Sequence, residues 1–441
     1  MSQHETMFPP RAEVIRSTSA PIPSIYKMGA AILALLGLVV FVVGLFVDPD
    51  RAWHSLQVSW LFWAVVSSAG VMFVAVQRIA TARWSRSVIR LLEGYVAFLP
   101  VAFIILLLML TAGQSHIFTW VHEAPPVEAK RIWLDPTFLV VRDLLVFGLI
   151  TALSLWYVYT SVRLDVGVVP EAGARWARGL RERMRRGFGD ERRELHTTHS
   201  LQGKMAVFLA ILFGFGWSML SWDLSMSMSL HFQSTMYGWQ VFMGGWLAAL
   251  MLFTLLTMWW QAHLNAHHMI VDHQFHDLGK LCFAFTAFWG YLTFSQYLII
   301  WYGNMPEETH FFRHRLTQPW ATVTLTAGVL VFLLPFFGLI SKAGKMYRPT
   351  MILFAVCSLV GIYLSRYVEV YPSVFGTATA LPFGLWELGV MLGMTGLWGT
   401  CYMAFMEAFP RMRVMLMTSP YRDEVQVPCD PRTMEPLPAH E

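Results

Sequence analysis

The sequence predicts an all-α integral membrane protein with ten transmembrane helices, and three observations support this fold class. Of the 441 residues, 56% are hydrophobic and 14% are charged, whereas soluble domains average about 25% charged residues. Apolar runs of roughly 20 residues, the length that crosses a bilayer core about 30 Å thick, recur along the chain. Backbone groups in lipid must be satisfied internally, so each run is expected to form a helix.

The predicted spans occupy most of the chain. Residues 1–27 form an N-terminal segment, residues 28–408 hold the helices, and residues 409–441 form a Pro-rich tail that we expect to be extended. The main charge run lies in the stretch 163–202. Spans two to five cross the membrane in the same up–down order as spans six to nine, which predicts two four-helix bundles with flanking helices. The predicted spans are 28–48, 54–77, 91–112, 137–162, 203–222, 237–262, 277–301, 320–341, 349–369 and 383–408.

Lysine and arginine residues fall mainly on one side of these spans. The segments on the side of the two termini hold 25 of the 32, and the opposite segments hold 5. Basic segments stay on the cytoplasmic side of a membrane, so both termini are expected to be cytoplasmic. Topology then explains the basic stretch, with a docking surface for a cytoplasmic partner as the alternative. A nucleic-acid partner is not expected beside a membrane span.

The cysteines and histidines argue against several kinds of redox centre. The four cysteines are far apart and form no CxxC or CxxCH motif. The chain is therefore expected to carry neither a c-type haem nor an iron–sulfur cluster. No histidine falls in the middle of a predicted span, which disfavours a haem held between two helices. We expect no covalently bound cofactor and no metal site.

The segment HLNAHHMIVDHQFHDLGK, residues 263–280, contains five of the 15 histidines. It begins where predicted span six ends, on the side of the termini. Imidazoles titrate near pH 6.5, so histidines mixed with carboxylates would suit proton collection. Helix capping at the membrane surface is the alternative, and a metal site is less favoured because the spacing fits no standard motif. The residues proposed for uptake on this side are His263, His267, Asp272, Asp277, Lys280 and Glu93.

Ionisable residues inside spans are costly in lipid and indicate function. Arg142 and Asp143 lie near the outer end of predicted span four, and Asp223 lies at the outer end of span five. An aspartate there must be paired with a cation or be able to take up a proton, and Arg142 is the obvious partner for Asp143. Three more ionisable residues lie at a similar depth: Arg366, Glu369 and Glu387.

Span seven carries polar residues through its middle and outer half, among them Tyr291 and Gln296. Such a polar line would join the histidine segment to the outer carboxylates through ordered water. Ordinary hydrogen bonds between helices are the alternative for each hydroxyl, at about 0.6 kcal/mol per contact.

Two stretches resemble a known family. They are HDLGKLCFAFTAFWGYLTFSQYLIIWYGNMPEET, residues 276–309, and SMLSWDLSMSMSLHFQSTMYGWQVF, residues 218–242. Both are similar to the F-type membrane subunit of bacterial alternative complex III, in the group typified by the membrane subunit of polysulfide reductase. The ten-span layout also agrees, so the resemblance covers essentially the whole chain.

The resemblance implies a membrane component of a quinol:electron-acceptor oxidoreductase in the bacterial inner membrane. Its partners would be an iron–sulfur subunit, haem c subunits and the C-type sister membrane subunit, with a terminal oxidase as a further candidate. Haem c and iron–sulfur clusters would belong to the partners. Menaquinone or ubiquinone would lie nearby, and the F-type protein is a candidate for helping to bind it. The F-type protein itself would conduct protons or couple energy, which points to Asp223, Tyr291, Gln296 and the histidine segment. A stand-alone proton-coupled transporter and a purely structural anchor are the alternatives.

Overall fold

A computed structural model describes residues 10–18, 20–82, 84–123, 125 and 127–425. These residues form helices joined by links, and no strand occurs among them. Ten helices in this part of the chain are long and apolar enough to cross a membrane. They carry large apolar side chains on their outer faces, such as Phe46, which is 86% exposed. Extended apolar surface of this kind is unfavourable in water. The protein is therefore a multi-pass membrane protein, as the composition predicts.

The ten spans lie close to their predicted positions, and the predicted number is confirmed for the described residues. Span five begins well before position 203, because its helix continues into the basic stretch. Spans one to ten are Ser24–Val47, Pro49–Ile79, Ile89–Thr111, Pro136–Val168, Glu191–Met228, Thr235–His263, Asp272–Gly303, Trp320–Leu339, Arg348–Val374 and Leu385–Ala408.

Aspartate caps set the start of three spans. Asp48 accepts a hydrogen bond from the backbone N–H of Arg51 at the start of span two. Asp135 and Asp190 do the same before spans four and five. A side-chain oxygen at this position satisfies a backbone donor that has no partner within the helix. The cap at Asp190 explains why span five starts earlier than its apolar run.

Two spans are interrupted. Span three contains the 3₁₀ turn Gly94–Phe98, and span eight contains the π-helical turn Val329–Leu333. Pro335 follows the π turn and has no N–H to donate, so a regular α-helix could not continue unchanged through it. A Cβ at Gly94 would lie 2.5 Å from Met406 Cε, so glycine allows span ten to pack closely on span three.

Helix contacts divide spans two to nine into two groups of four. Spans two to five contact one another in a ring, which we call the first bundle, and spans six to nine form the second bundle in the same way. Span two also contacts spans six and nine, and its apolar window is buried throughout. Spans one and ten pack as a pair against spans two and three. Span two therefore forms the centre of the molecule.

Spans one and ten approach each other through glycine. A Cβ at Gly37 would lie 2.2 Å from the Cα of Gly393. Small residues of this kind let two helix backbones touch in lipid, where close packing takes the place of the hydrophobic effect.

The two ends of the helical region lie on one side of the molecule, which we call the terminal face. There Lys27 Nζ, at the start of span one, donates to Glu407 Oε1, at the end of span ten, at 2.8 Å. The end of span six lies on the same face, because His263 Nε2 is 3.1 Å from the carbonyl oxygen of Pro21. We call the opposite side the distal face.

The C-terminal segment is not extended over its described part, contrary to the prediction. It forms two short helices, and its Met415 and Leu416 pack against Leu164 and Leu195. Burial of these apolar side chains favours a folded segment over an extended one. The remainder of the predicted tail, residues 426–441, lies outside the described residues, as do residues 1–9. The α-helices outside the spans in the described residues are Arg11–Thr18, Gln114–Ile117, Glu128–Trp133, Arg178–Arg185, Pro306–Leu316, Lys342–Met346, Val414–Thr418 and Arg422–Val425.

Candidate functional site

Three charged side chains meet at the distal end of the first bundle, and we call them the distal cluster (Arg142, Asp143 and Asp223). Arg142 Nη2 donates to Asp223 Oδ2 at 2.8 Å, and Arg142 Nε lies 3.7 Å from Asp143 Oδ1. Both aspartate side chains are fully buried. The structure therefore brings together the three residues that the sequence singles out near the outer ends of spans four and five.

Trp133 covers the distal cluster. Its indole Nε1–H donates to Asp223 Oδ1 at 2.7 Å, and Arg142 Nη1 donates to its carbonyl oxygen at 3.0 Å. The guanidinium carbon of Arg142 also lies 4.0 Å from the centre of the indole ring. Trp133 was not predictable from the sequence, because a tryptophan in a link between spans carries no signal for this role.

The distal cluster contains one more carboxylate than guanidinium. Asp223 accepts hydrogen bonds on both of its oxygens, whereas those of Asp143 accept none within the described part of the chain. If both aspartates were ionised, one negative charge would be buried without a matching cation. Burying such a charge costs on the order of several kcal/mol. A proton on Asp143, whose carboxyl group adjoins that of Asp223, removes this charge. The arrangement is thus suited to binding and releasing one proton.

A line of buried polar side chains runs along span four from Thr151 to Asp165, on the same side of the helix as Asp143. The hydroxyl groups of Thr151, Ser154 and Tyr157 have no hydrogen-bond partner among the described residues. Steps of three or four residues keep side chains on one face of a helix, and this line follows such steps as far as Asp165. We call it the span-four stripe, and its members are Thr151, Ser154, Tyr157, Ser161 and Asp165.

The span-four stripe ends in a buried ion network near the terminal face. Arg90 pairs with both Glu93 and Asp165, and Arg413 pairs with Glu93. The backbone N–H of Met415 donates to Asp165 Oδ1 at 2.8 Å. Two guanidinium groups therefore balance two carboxylates. Glu93 was predicted to act with the histidine segment, but its ion partners lie in this network instead.

An aromatic plug separates Asp143 from the hydroxyl groups of the stripe. The ring of Phe147 lies 5.2 Å from that of Trp60 and 6.0 Å from that of Trp217, measured between centroids, and all three are buried. Asp143 and Thr151 are about 12 Å apart along the helix axis. This distance is too long for a direct hydrogen bond, so a proton crosses it only with water or with movement of the plug.

The histidine segment lies at the terminal face, but its imidazoles do not converge. Each imidazole with an assigned contact has a different partner. His263 contacts the Pro21 carbonyl, His268 contacts Glu13 at 3.1 Å, and His273 contacts Asp277 at 3.2 Å. No group of three His, Cys, Asp or Glu side chains in the described residues could hold a metal ion.

The remaining residues proposed for proton uptake are accessible from solvent. His267 and Asp272 are exposed, and Asp277 pairs with Lys280 at 2.6 Å. Exposed imidazole and carboxylate groups can exchange protons with water, so this part of the terminal face retains the property for which the sequence singles it out.

Span seven does not carry a continuous polar line through the bundle. Gln296 is buried and donates to Ser234 Oγ at 3.1 Å, and Thr286 is buried as well. Tyr291, in contrast, is 61% exposed and stacks on Phe288, on the outer side of the second bundle. Tyr291 and Gln296 thus lie on different faces of the helix, and the stripe on span four is the more continuous one.

Two further ion pairs lie at the distal face. Arg51 donates two hydrogen bonds to Glu387, at 2.9 and 2.8 Å, and Tyr371 donates a third at 3.1 Å. These contacts satisfy Glu387 and give it a structural role between spans two, nine and ten. Arg366 Nη2 pairs with Glu369 Oε1 at 2.7 Å in span nine.

No protein-family model matches this sequence, and no curated protein matches it significantly.

Proposed function

We propose that this protein is a membrane component of a quinol-oxidising respiratory complex, similar to the F-type membrane subunit of bacterial alternative complex III, and that it conducts protons across the membrane. The distal cluster carries the proposal, because Asp143 is a buried carboxylate that accepts no hydrogen bond from the described residues. The two resembling stretches provide the respiratory context. In this proposal, haem c and iron–sulfur clusters belong to partner proteins, and quinol is oxidised in the C-type sister membrane protein.

In this proposal, the terminal face is on the cytoplasmic side of a bacterial inner membrane. The excess of lysine and arginine on that side, 25 against 5, supports this orientation. The distal cluster then lies toward the periplasm, where the iron–sulfur and haem c subunits would be anchored.

The proposed proton route follows span four rather than span seven. Protons are taken up at the terminal face, where His267 and Asp272 are exposed. They pass the ion network around Asp165 and then the hydroxyl groups of the span-four stripe, since each hydroxyl can both donate and accept. The aromatic plug keeps this route closed until a change in the complex admits water.

Arg142 provides the element that couples proton movement to the partner subunits. Its guanidinium lies within 3.7 Å of Asp143 and closer to Asp223, so a small rotation exchanges the preferred partner. When Arg142 pairs with Asp143, the ionised form of that carboxylate is favoured and its proton is released. A charge change at the distal face, such as reduction of an iron–sulfur cluster in a partner subunit, would favour one of the two pairings of Arg142.

Two other functions predict different behaviour. A purely structural anchor accounts for pairs such as Arg51–Glu387, but it does not require a buried carboxylate without donors. A stand-alone transporter is favoured by one observation, the interruptions in spans three and eight, because broken helices form substrate sites in transporters. A transporter would work without redox partners.

Mild detergent extraction of the native membrane tests the proposal. The chain is isolated by an affinity tag, and the redox difference spectrum of the preparation is recorded. We expect absorption from c-type haem, for which this chain has no CxxCH motif. A colourless preparation containing only this chain would contradict the respiratory assignment and favour the transporter.

A further inference from the structure

A pocket of about 140 Å³ lies at the terminal face, where the first bundle meets the C-terminal segment. The end of span two, the start of span three and the first part of span five form its walls, and the C-terminal segment completes them. A cavity needs about 10–15 Å³ of such volume to hold one water molecule, so this pocket has room for a small polyatomic ligand. No described residue of span four lines it, so it is separate from the span-four stripe.

The lining of this pocket, which we call the arginine pocket, is basic. Arg78, Arg86 and Arg413 line it, and none of its described lining residues is an aspartate or a glutamate. Arg413 lies close enough to Arg78 for the two positive charges to act on each other. Like charges repel strongly where little water screens them, so an anion placed between these guanidinium groups would be stabilised.

Arg78 is held in place without having its charge balanced. Its Nη2 donates to the carbonyl oxygen of His199 at 2.9 Å, and a Cβ built at Gly203 would lie only 3.3 Å from the same nitrogen. No carboxylate acts on Arg78 in the described part of the chain, and its buried Nε has no hydrogen-bond partner there. Buried donors are normally hydrogen-bonded, so this N–H calls for an acceptor.

The neutral groups of the lining also supply donors. Ser85 Oγ donates to Gln77 Oε1 at 3.1 Å, which leaves the amide nitrogen of Gln77 to donate to a ligand. The hydroxyl of Thr81 and the imidazole of His199 belong to the same lining, and both can donate as well. The donors come from two spans and the link between spans two and three, so the matching ligand carries acceptor oxygens that point in several directions.

We propose that the arginine pocket binds a phosphate group, supplied either by the head group of an anionic phospholipid or by a soluble phosphate. Guanidinium groups bind phosphate oxygens through paired, charge-assisted hydrogen bonds. A tetrahedral phosphate presents oxygens to arginines on different elements, whereas a carboxylate has only two oxygens in one plane. The proposal does not rest on the respiratory function, because it uses only the charges and contacts of this pocket.

The position of the pocket along span two makes both sources accessible. Arg78 precedes the last residue of the span, Ile79, which is 48% exposed. The pocket therefore lies near the level of the lipid phosphates, within reach of both a head group and a soluble ion. In the orientation proposed above this level is cytoplasmic, where basic pockets between spans bind anionic head groups.

Equilibrium dialysis with radiolabelled inorganic phosphate tests the pocket. The sample is the protein with its co-extracted partners, held in detergent without added phospholipid. We expect saturable binding, of which one site per chain depends on Arg78. Phosphatidylglycerol should displace the phosphate if a lipid head group is the natural occupant, and leave it bound if the site selects the soluble ion.

A lipid that survives extraction would block dialysis, so native mass spectrometry of the same sample counts retained phospholipid. In that case we expect a bound phospholipid mass that is present in the unmodified protein and lost in Arg78→Gln.

Matched arginine variants separate the pocket from the basic surface around it. Arg78→Gln should weaken phosphate binding by at least about tenfold, because hydrogen bonds to a charged group are lost. Arg78→Lys keeps the charge but not the planar fork, so it should weaken binding by a smaller factor. Arg175→Gln is the control and should bind as the unmodified protein does, since Arg175 is an exposed arginine of the basic stretch that does not line the pocket.

The thermal unfolding midpoint of each variant establishes that it is folded. Equal weakening in Arg78→Gln and Arg175→Gln would mean diffuse attraction to a basic surface and would overturn the proposal. So would a folded, unmodified protein that binds no phosphate and retains no phospholipid dependent on Arg78. The c-type haem content of the same preparation reports on the proposed function, so either proposal can fail while the other holds.

Discussion

Asp143 and Asp165 lie on the same buried face of span four, about 33 Å apart along the helix axis. This separation is close to the thickness of a bilayer core, roughly 30 Å. Asp143 belongs to the distal cluster and Asp165 to the ion network, so one helix connects the two polar ends of the first bundle. The aromatic plug interrupts the polar face between them.

Replacing Asp143 with asparagine removes the carboxyl group that exchanges the proton in our proposal. We expect Asp143→Asn to abolish proton uptake coupled to quinol oxidation, with assembly and haem content preserved, because the amide retains the shape of the side chain. The measurement is the number of protons taken up per quinol in proteoliposomes. Asp135→Asn is the matched control, since Asp135 is an exposed cap on the same helix and asparagine caps equally well. Unaltered proton stoichiometry in Asp143→Asn would rule out the distal cluster as the coupling site.

Opening the aromatic plug should make the protein leak protons. Phe147→Ala leaves a cavity between Trp60 and Trp217, at a stability cost of about 3–5 kcal/mol, and water can then join Asp143 to the stripe. The measurement is proton influx into proteoliposomes that contain a pH-sensitive dye. We expect the influx rate to rise several-fold, which corresponds to a barrier lower by on the order of 1 kcal/mol. Phe215→Ala is the control, because Phe215 is 78% exposed on span five. A folded Phe147→Ala protein that remains proton-tight would place the route elsewhere.

Breaking the ion network should cost more stability than breaking an exposed ion pair. Glu93→Ala leaves Arg413 without its carboxylate, and loss of one partner of a buried pair costs about 3–5 kcal/mol. Glu182→Ala removes an exposed pair with Arg178, which is worth about 0.3–0.5 kcal/mol. Thermal unfolding in detergent, followed by tryptophan fluorescence, distinguishes the two. Equal midpoints for the two variants would mean that the network contributes little to stability.

The helix Pro306–Leu316 at the distal face should open more readily in acid. Burial, together with His310, Arg315 and Arg313 nearby, lowers the pKa of His314 below its ordinary value of 6.5. The open helix therefore takes up a proton at a higher pH than the closed helix. Below about pH 6.5 the closed helix therefore becomes less stable relative to the open one. The opening equilibrium constant rises by up to about tenfold per pH unit, until the closed form is protonated as well.

Hydrogen exchange of peptides from residues 306–316, corrected for the intrinsic pH dependence, measures this opening. The pH dependence should disappear in His314→Gln and persist in His231→Gln, since His231 is an exposed histidine outside this helix. Protection that does not change between pH 7.5 and 5.5 in the unmodified protein would contradict the prediction.

The number and positions of the spans were predictable, because length and hydropathy alone specify a helix in lipid. The charge pairing in the distal cluster was partly predictable as well. Arg142 and Asp143 are rare residues for a span, and rarity in lipid is itself a signal. Which side of the membrane the termini occupy stays a prediction.

The inward face of each helix was not predictable in the same way. Tyr291 was expected on a polar line, but it lies on the outer side of span seven. A lipid-facing surface is as apolar as a buried one, so the hydrophobic pattern does not distinguish the two sides of a span. The stripe on span four was missed for the same reason, because Thr151, Ser154 and Tyr157 resemble ordinary hydroxyl residues until the neighbouring helices are in place.

The central position of span two has a consequence for synthesis of the protein at the membrane. Its polar side chains find partners in parts of the chain that the ribosome makes much later: Gln57 donates to the carbonyl of Leu224, and Ser59 contacts Tyr363. Until those helices arrive, these groups lie in lipid or beside the insertion machinery without their final partners. Span two thus precedes most of its partners in the chain and is one of the last spans to be fully enclosed, so early release of the growing chain would expose its amide and hydroxyl groups.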